Sequence, residues 1–478
     1  MNQSIRRLLA RAGRRSTILL AVVLVLCHAS AAAGQTFGAE PDGVFSATNS
    51  RWRHARFSAT DYRTHYKNYA SAAGMDAERS WNAAHFTQIV GGQFDYKTRN
   101  PSIYHWVYDI NVWHRDIKNG AQIGMEAWLR ANGYDPENAF LHSPAGAAVP
   151  QIRDDTGSRI PAHTASGNKI KADRATSQQF ANRDYWYHNL ADPGFRAWRK
   201  HRTRQLVAGG KRDGIFFDVM HVSAITKWIS FPTLEYATAA AYFADYRQVI
   251  AEQRPLVPAQ RNYLNTAQYT NQRPNMENAK ISGAVMCEFC NSPYRTGLYW
   301  DEIEELVAAD VVVHYQAAVK TSRKNTPQHG ATPGNYASVK ERTLMFEYAS
   351  YLMVVDPARM DHVVFDPYNE GWAQHPLSAT WLTAYEYDIG LATSPRSRVS
   401  SGTDPLGTKY QIWGRSFEHA YVLIRRQISG TAHNHGDASA VTVDLPAGTW
   451  HVLQANGARG HPTTSVQLRT GEAVVLVR

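Results

Sequence analysis

From Trp52 to about Leu391, short apolar runs alternate with stretches whose apolar residues recur at helical spacing. His85–Val90, Ile103–Tyr108, Ala139–His142, Gly214–Phe217, Gly283–Cys287 and Val311–Tyr315 predict strands. Gly194–Ala208, Leu234–Gln253, Trp300–Ala309 and Val339–Val354 predict helices between them. Strands that alternate with helices imply a parallel sheet, and the number of units favours closing it into an α/β barrel of the TIM type, (β/α)8. The polar stretch Ser143–Ser177, rich in Gly, Ala and charge, reads as a long insertion over the barrel mouth.

The pattern changes near Thr393. Ser394-Pro395-Arg396-Ser397 through Gly402-Thr403-Asp404-Pro405 is linker-like, and beyond it the helical period disappears. Tyr410–Trp413, Ala420–Arg425, Ala440–Asp444, Trp450–Gln454, Ser465–Leu468 and Ala473–Val477 are evenly spaced short runs that predict a C-terminal antiparallel β-sandwich. The barrel is placed at residues 51–395 and the β-sandwich at 396–478, where it is expected to brace the barrel.

The N-terminus follows neither pattern. Arg6, Arg7, Arg11, Arg14 and Arg15 precede the apolar run Ile18–Leu26, and small residues at Ala29-Ser30-Ala31 and Ala31-Ala32-Ala33 offer cleavage sites. That order predicts a secretory signal peptide over 1–33, followed by a flexible segment over 34–50. The expectation is export to the periplasm or the extracellular space, with no stable membrane association after cleavage. Removing those five arginines from a formal net charge of +10 leaves about +5, modest for 478 residues, and no basic run interleaved with aromatics follows. Nucleic acid is therefore not an expected partner, and the oligomeric state stays open. Past the leader only Cys287 and Cys290 remain, too few for a disulfide framework or a four-cysteine zinc site. They read as two semi-buried small residues, with a local disulfide formed after export as the alternative. No HExxH, Walker, Rossmann or G-x-S-x-G pattern occurs, so no metal and no cofactor is expected, His433-Asn434-His435 being read as hairpin loop.

The candidate chemistry lies at strand ends. In Asp213-Gly214-Ile215-Phe216-Phe217-Asp218 a buried strand terminates in Asp218. In Gly283-Ala284-Val285-Met286-Cys287-Glu288 another terminates in Glu288. A carboxylate at the C-terminal end of a barrel strand points into the mouth, whereas a loop cap or a salt bridge is the structural alternative. Two such carboxylates suit glycosidic cleavage, which needs a proton donor for the leaving oxygen and a second carboxylate to attack the anomeric carbon or activate water. Asp218 is read as the nucleophile and Glu288, among apolar and aromatic neighbours, as the donor, with exchange of roles left open.

The run Asn189-Leu190-Ala191-Asp192-Pro193-Gly194-Phe195-Arg196-Ala197-Trp198, followed by DGIFFD and then GAVMCE, resembles a group of glycoside-hydrolase-like barrels named hypothetical glycosyl-hydrolase-like, number fifteen. Val441–Trp450 and the closing Gly471-Glu472-Ala473-Val474-Val475-Leu476 are similar to the β-domain of such enzymes. The resemblance implies a TIM-like barrel with Asp218 and Glu288 at the family's acidic positions. The sequence departs from it in placing Val219-Met220-His221 after Asp218, where relatives carry a polar Asn, and in flanking Glu288 with two cysteines. His221 would then stand in for that Asn on a sugar hydroxyl. Asp109 and Asn111 after the strand ending at Tyr108, Asn262 and Asn265 near Val257, and His314 in Val311–Tyr315 are further candidates for the mouth. Trp113 and Trp186 are the aromatics expected to stack on sugar, most other rings being expected to fill the core. The expected function is exported hydrolysis of O-glycosidic bonds in a carbohydrate substrate, a polysaccharide or oligosaccharide. The competing readings are a non-catalytic carbohydrate-binding protein and a cell-envelope protein on the same scaffold.

Overall fold

The computed structural model describes residues 55–61, 72–91, 94–110, 113–115, 121–142, 185–218, 220, 222, 225–226, 229, 231–266, 270, 272–288, 299–317, 336–367, 381–429 and 439–478. The predicted signal peptide and the segment 34–50 lie outside them, as does the stretch 143–177.

Strands β1 (Ser58–Asp61), β2 (Gln88–Gly91) and β3 (Tyr104–Ile110) begin a parallel sheet. Two short strands, β4 (Trp113–Arg115) and β5 (Tyr185–Tyr187), pair antiparallel as a separate ribbon. The parallel sheet then continues through β6 (Gly214–Asp218), β7 (Asn262–Asn265), β8 (Gly283–Glu288), β9 (Val312–Gln316) and β10 (Val363–Asp366). The ring closes where Phe57 bridges Phe365 in parallel and the Phe365 N–H donates to the Arg56 carbonyl at 2.8 Å. Eight parallel strands closed in this way are the expected barrel.

Helices α1 (Ala72–His85), α2 (Ala121–Ala131), α3 (Pro193–Val207), α4 (Ala239–Gln253), α5 (Arg273–Ser282), α6 (Trp300–Ala308) and α7 (Tyr336–Leu352) occupy the connections. The start of α3 explains part of the sequence pattern singled out above. Asp192 caps the helix by accepting from the Phe195 N–H at 2.6 Å, Pro193 takes the first turn where no donor is needed, and Phe195 and Trp198 turn into the core. Such a cap contributes about 1 kcal/mol. Gly214 is required for a different reason: a Cβ there would press into the Trp106 ring and sit 2.7 Å from the Arg261 carbonyl oxygen.

Period-two alternation separates the two faces of each strand. Ile215, Phe217, Leu264, Val285, Cys287, Val313, Tyr315 and Phe365 pack outward against the helices. The inward face carries an unusual polar filling. Gln88 Nε2 donates to Ser58 Oγ at 3.1 Å and to Tyr263 Oη at 3.0 Å, and its Oε1 accepts from Trp106 Nε1 at 3.2 Å. These side chains satisfy one another away from water, which is what makes a polar interior tolerable.

Beyond the barrel, β11 (Ser397–Thr403), β12 (Lys409–Ser416), β13 (Ala420–Ser429), β14 (Val441–Asp444), β15 (Trp450–Leu453), β16 (Arg459–Thr463), β17 (Ser465–Leu468) and β18 (Ala473–Val477) are antiparallel. Six form one sheet and β14 pairs with β17 in a second. Ile412, Leu423, Val443, Trp450, Val466, Leu468 and Leu476 fill the space between them, as expected of a C-terminal β-domain. The other face of the large sheet, through Val422, Ile424, Val475 and Val477, shares one core with α7 and the barrel helices. Arg415 adds a buried bond from its guanidinium to the Leu352 carbonyl at 2.8 Å.

Several elements differ from the sequence expectation. Ala139–His142 is not a barrel strand but the end of a 3-10 turn with a bridge from Phe140 to His188. The helix expected from Leu234 starts at Ala239, because Thr238 caps it through its hydroxyl. β1, β7 and β10 are barrel strands the apolar-run criterion passed over, and β11 lies in the stretch read as linker-like. Cys287 is disulfide-bonded rather than a semi-buried free thiol. The other cysteines of the chain, Cys27 and Cys290, lie outside the described residues.

Candidate active site

Asp218 is the last residue of β6 and Glu288 the last of β8, so both stand at the C-terminal end of the barrel. Between these strands runs β7, which ends in Asn265. The Asn265 carboxamide nitrogen donates to Asp218 Oδ1 at 2.8 Å and to Glu288 Oε2 at 3.0 Å. The two bonds together cap the distance between those oxygens at about 5.8 Å, and the roughly 120° between the N–H directions of a planar carboxamide brings it to about 5 Å. Asp218 Oδ2 accepts a further bond from the Tyr108 hydroxyl at 2.8 Å. Asp218 thus accepts at least one bond at each oxygen. Asp218 and Glu288 are partly exposed, while Asn265 is buried.

The same level of the barrel continues past Glu288. Gln316 ends β9 and Asp366 ends β10, in register with Glu288 and with each other. Gln316 Nε2 lies 3.4 Å from Asp366 Oδ2. Five consecutive strands thus terminate in Asp218, Asn265, Glu288, Gln316 and Asp366, acid and carboxamide in turn.

The remaining expected site residues divide. His314 is inside the barrel and fully buried, with Nε2 at 2.9 Å from Asp366 Oδ2 and Nδ1 at 3.1 Å from Ser58 Oγ. It is a member of the polar filling beneath the carboxylates. Asp109 does not reach the mouth: alternation on β3 turns Tyr108 inward and Asp109 outward, where it pairs with the buried Arg199 of α3 at 2.8 Å. Asn262 does not reach it either. It begins β7 rather than ending it, is fully buried, and accepts from the Ile215 N–H at 2.9 Å. Asn111 and His221 lie outside the described residues. Trp113 and Trp186 sit on β4 and β5, opposite Tyr187 and His114 respectively, and their side chains lie outside the described residues.

Asn265 was among the expected candidates, whereas Tyr108, Gln316 and Asp366 were not. A signal existed for Tyr108 and Asp366. Trp106 and Tyr108 share a parity on β3, and Val363-Val364-Phe365-Asp366 repeats the apolar-then-acid layout of the β6 strand.

The opposite end of the barrel is built with cations. Asp213, just before β6, accepts from the His105 N–H at 2.8 Å and pairs with Lys97 at 3.1 Å. Burial pushes its carboxyl above the usual range. The His105 imidazole beside it is held down to about 3, first by burial and then by the Arg212 charge. Near the end of the described segment 121–142, His142 bonds Glu235 at 2.6 Å and Glu137 at 3.1 Å, which raises its pKa against the opposing effect of burial. Among the described residues no group of His, Cys, Asp and Glu could hold a metal ion, and no helix is long and apolar enough to cross a membrane.

The fold and site therefore define a closed (β/α)8 barrel with an antiparallel C-terminal domain and a bridged carboxylate pair at the C-terminal ends of its strands. No family model matches the chain, and no curated protein does. Solved structures with a similar layout include an α-amylase from Malbranchea cinnamomea, 11% identical, with a TM-score of 0.43 over 90% of this chain and 97% of that one. A maltogenic α-amylase from Thermotoga neapolitana is 9% identical, with a TM-score of 0.44 over 90% and 99%. A GH36 α-galactosidase from Geobacillus stearothermophilus is 9% identical, with a TM-score of 0.43 over 90% of this chain and 56% of that one. Likeness at this level says nothing of activity or substrate, and the barrel itself stands on its own strand register.

Proposed function

We propose that the protein is an exported glycoside hydrolase that cleaves O-glycosidic bonds of a polysaccharide or oligosaccharide with retention of anomeric configuration. The observation that carries this reading is the single Asn265 nitrogen bonded to both Asp218 and Glu288. It puts Asp218 Oδ1 and Glu288 Oε2 about 5 Å apart, which supports the spacing of about 5–5.5 Å that suits direct attack over the 6.5–9.5 Å or so that leaves room for a water. The signal-peptide pattern at 1–33 supports export.

In the first step an Asp218 oxygen attacks the anomeric carbon while Glu288 gives its proton to the departing glycosidic oxygen. The carbon–oxygen bond breaks, an alcohol leaves, and a glycosyl ester forms on Asp218. In the second step Glu288, now a carboxylate, takes a proton from water, whose oxygen attacks the same carbon and releases Asp218. Asp218 is the nucleophile because donors already meet both its oxygens.

The test is release of reducing ends from a panel of α- and β-linked polysaccharides and aryl glycosides by the wild type, Asp218→Asn and Glu288→Gln. Turnover by the wild type and its loss in both folded variants is expected. Sugar binding without turnover by the wild type, or undiminished turnover by both variants, would overturn the proposal.

A further inference from the structure

We infer that Asn265 is the positioning residue of the carboxylate pair, and that Tyr108 completes its grip on Asp218. This rests on the reading of Asp218 and Glu288 as the reacting groups.

Neither carboxyl group has a reason of its own to stay aimed at a common point. Asn265 supplies that reason. It ends the strand between the two acids, so the backbone places its carboxamide between their side chains. One N–H serves each acid. The residue is 4% exposed, so water competes little for these bonds. Its backbone carbonyl accepts from the Met220 N–H at 2.9 Å, which also fixes the chain just after Asp218. Tyr108 grips Asp218 from the other oxygen, and a carboxylate held at both oxygens cannot turn about its last side-chain bond.

The chemistry of the spacer matters as much as its place. A lysine here would neutralise Asp218 and blunt the nucleophile. An aspartate would add a second negative charge beside Asp218. A carboxamide donates to both acids and carries no charge of its own. When Asp218 departs in the second step, the same two donors receive the returning negative charge, which is where fixed donors act on a rate. One step around the barrel Gln316 likewise ends the strand between two acids, Glu288 and Asp366, and donates to Asp366 Oδ2 at 3.4 Å.

The experiment compares Asn265→Ala, Asn265→Ser, Asn265→Asp and Tyr108→Phe with the wild type, and with Asp218→Asn and Glu288→Gln as references. The substrate is whichever one the wild type turns over. Fold is checked by near-ultraviolet circular dichroism. Asn265→Ala is expected to lower kcat by roughly 10–100-fold with KM within about threefold, because the acids lose aim rather than substrate contacts. Both limbs of its pH–rate profile should move. Asn265→Ser, with one donor to share, should recover part of kcat. Asn265→Asp should lose the most and shift its optimum to higher pH, and Tyr108→Phe should lose roughly 10-fold. If Asn265→Ala does not fold, the serine and phenylalanine variants decide by the same criteria. Wild-type kcat and an unmoved pH profile in folded Asn265→Ala and Tyr108→Phe, with the two references inactive, would overturn the inference and leave the hydrolase reading standing. Active reference variants would remove both.

Discussion

Asp213 and Asp218 bracket a single strand, and the two ends treat a carboxylate in opposite ways. At the lower end Asp213 meets the Lys97 ammonium and a backbone N–H, its charge answered by another charge. At the upper end the described donors to Asp218 are a phenol and a carboxamide, which orient it. Asp109, on the neighbouring strand, follows the first style with Arg199. The difference separates carboxylates paired with a cation from a carboxylate aimed by neutral hydrogen-bond donors. An acid at a strand end is informative only together with the kind of donor that faces it.

Substitutions can break that comparison, and the largest effects belong at the upper end. Asp218→Asn and Glu288→Gln should each lower kcat by roughly 10²–10⁴-fold with little change in melting temperature, measured as reducing ends released and by thermal unfolding. For acids paired with a cation the balance should reverse. Arg199→Met leaves the Asp109 carboxylate buried without its guanidinium and should cost about 3 kcal/mol of stability in urea unfolding, with kcat of the folded protein unchanged. Asp213→Ala strips the His105 N–H of its acceptor and should cost about 1–3 kcal/mol, again with kcat within twofold. A large kcat loss in either of these variants would erase the distinction.

The smallest effects come from pH, and two histidines give them opposite signs. His142 has its pKa raised by the Glu235 bond, so its contribution is complete below about 6.5 and is lost as pH rises through the folded value. Glu235→Gln should therefore lower the melting temperature more at pH 5 than at pH 9. His105 is held neutral with its pKa near 3, so it favours unfolding as pH falls from about 6.5 toward about 3. His105→Gln should flatten the acid side of the stability curve, and an unaltered acid side would contradict the buried, neutral ring.

Much of the fold was legible in the sequence, because a buried parallel strand announces itself as an apolar run. GIFFD and GAVMCE did so, and their terminal acids came with them. Strands whose inward face is polar did not. β1 carries Ser58, β7 ends in Asn265 and β10 in Asp366, so their apolar runs are short and broken. The same polar filling misled the choice of site residues. Asn262 and Asn265 look alike in sequence, and only the strand limits show that one stands at the bottom of β7 and the other at the top. Asp109 was misplaced by a strand that runs on to Ile110, two residues past its expected end, so that parity rather than proximity to a strand end decided its direction. That Asn265 touches both acids depends on three strands meeting in register, and no local pattern encodes that.

The most direct test of the central claim is the anomeric configuration of the first product, followed by proton NMR during the opening minutes of hydrolysis, before mutarotation. The bridged pair, about 5 Å apart, predicts that the newly released sugar keeps the configuration of the bond that was cut. Inversion would mean that a water fits between the carboxylates, and would contradict both the separation set by Asn265 and Asp218 as a nucleophile.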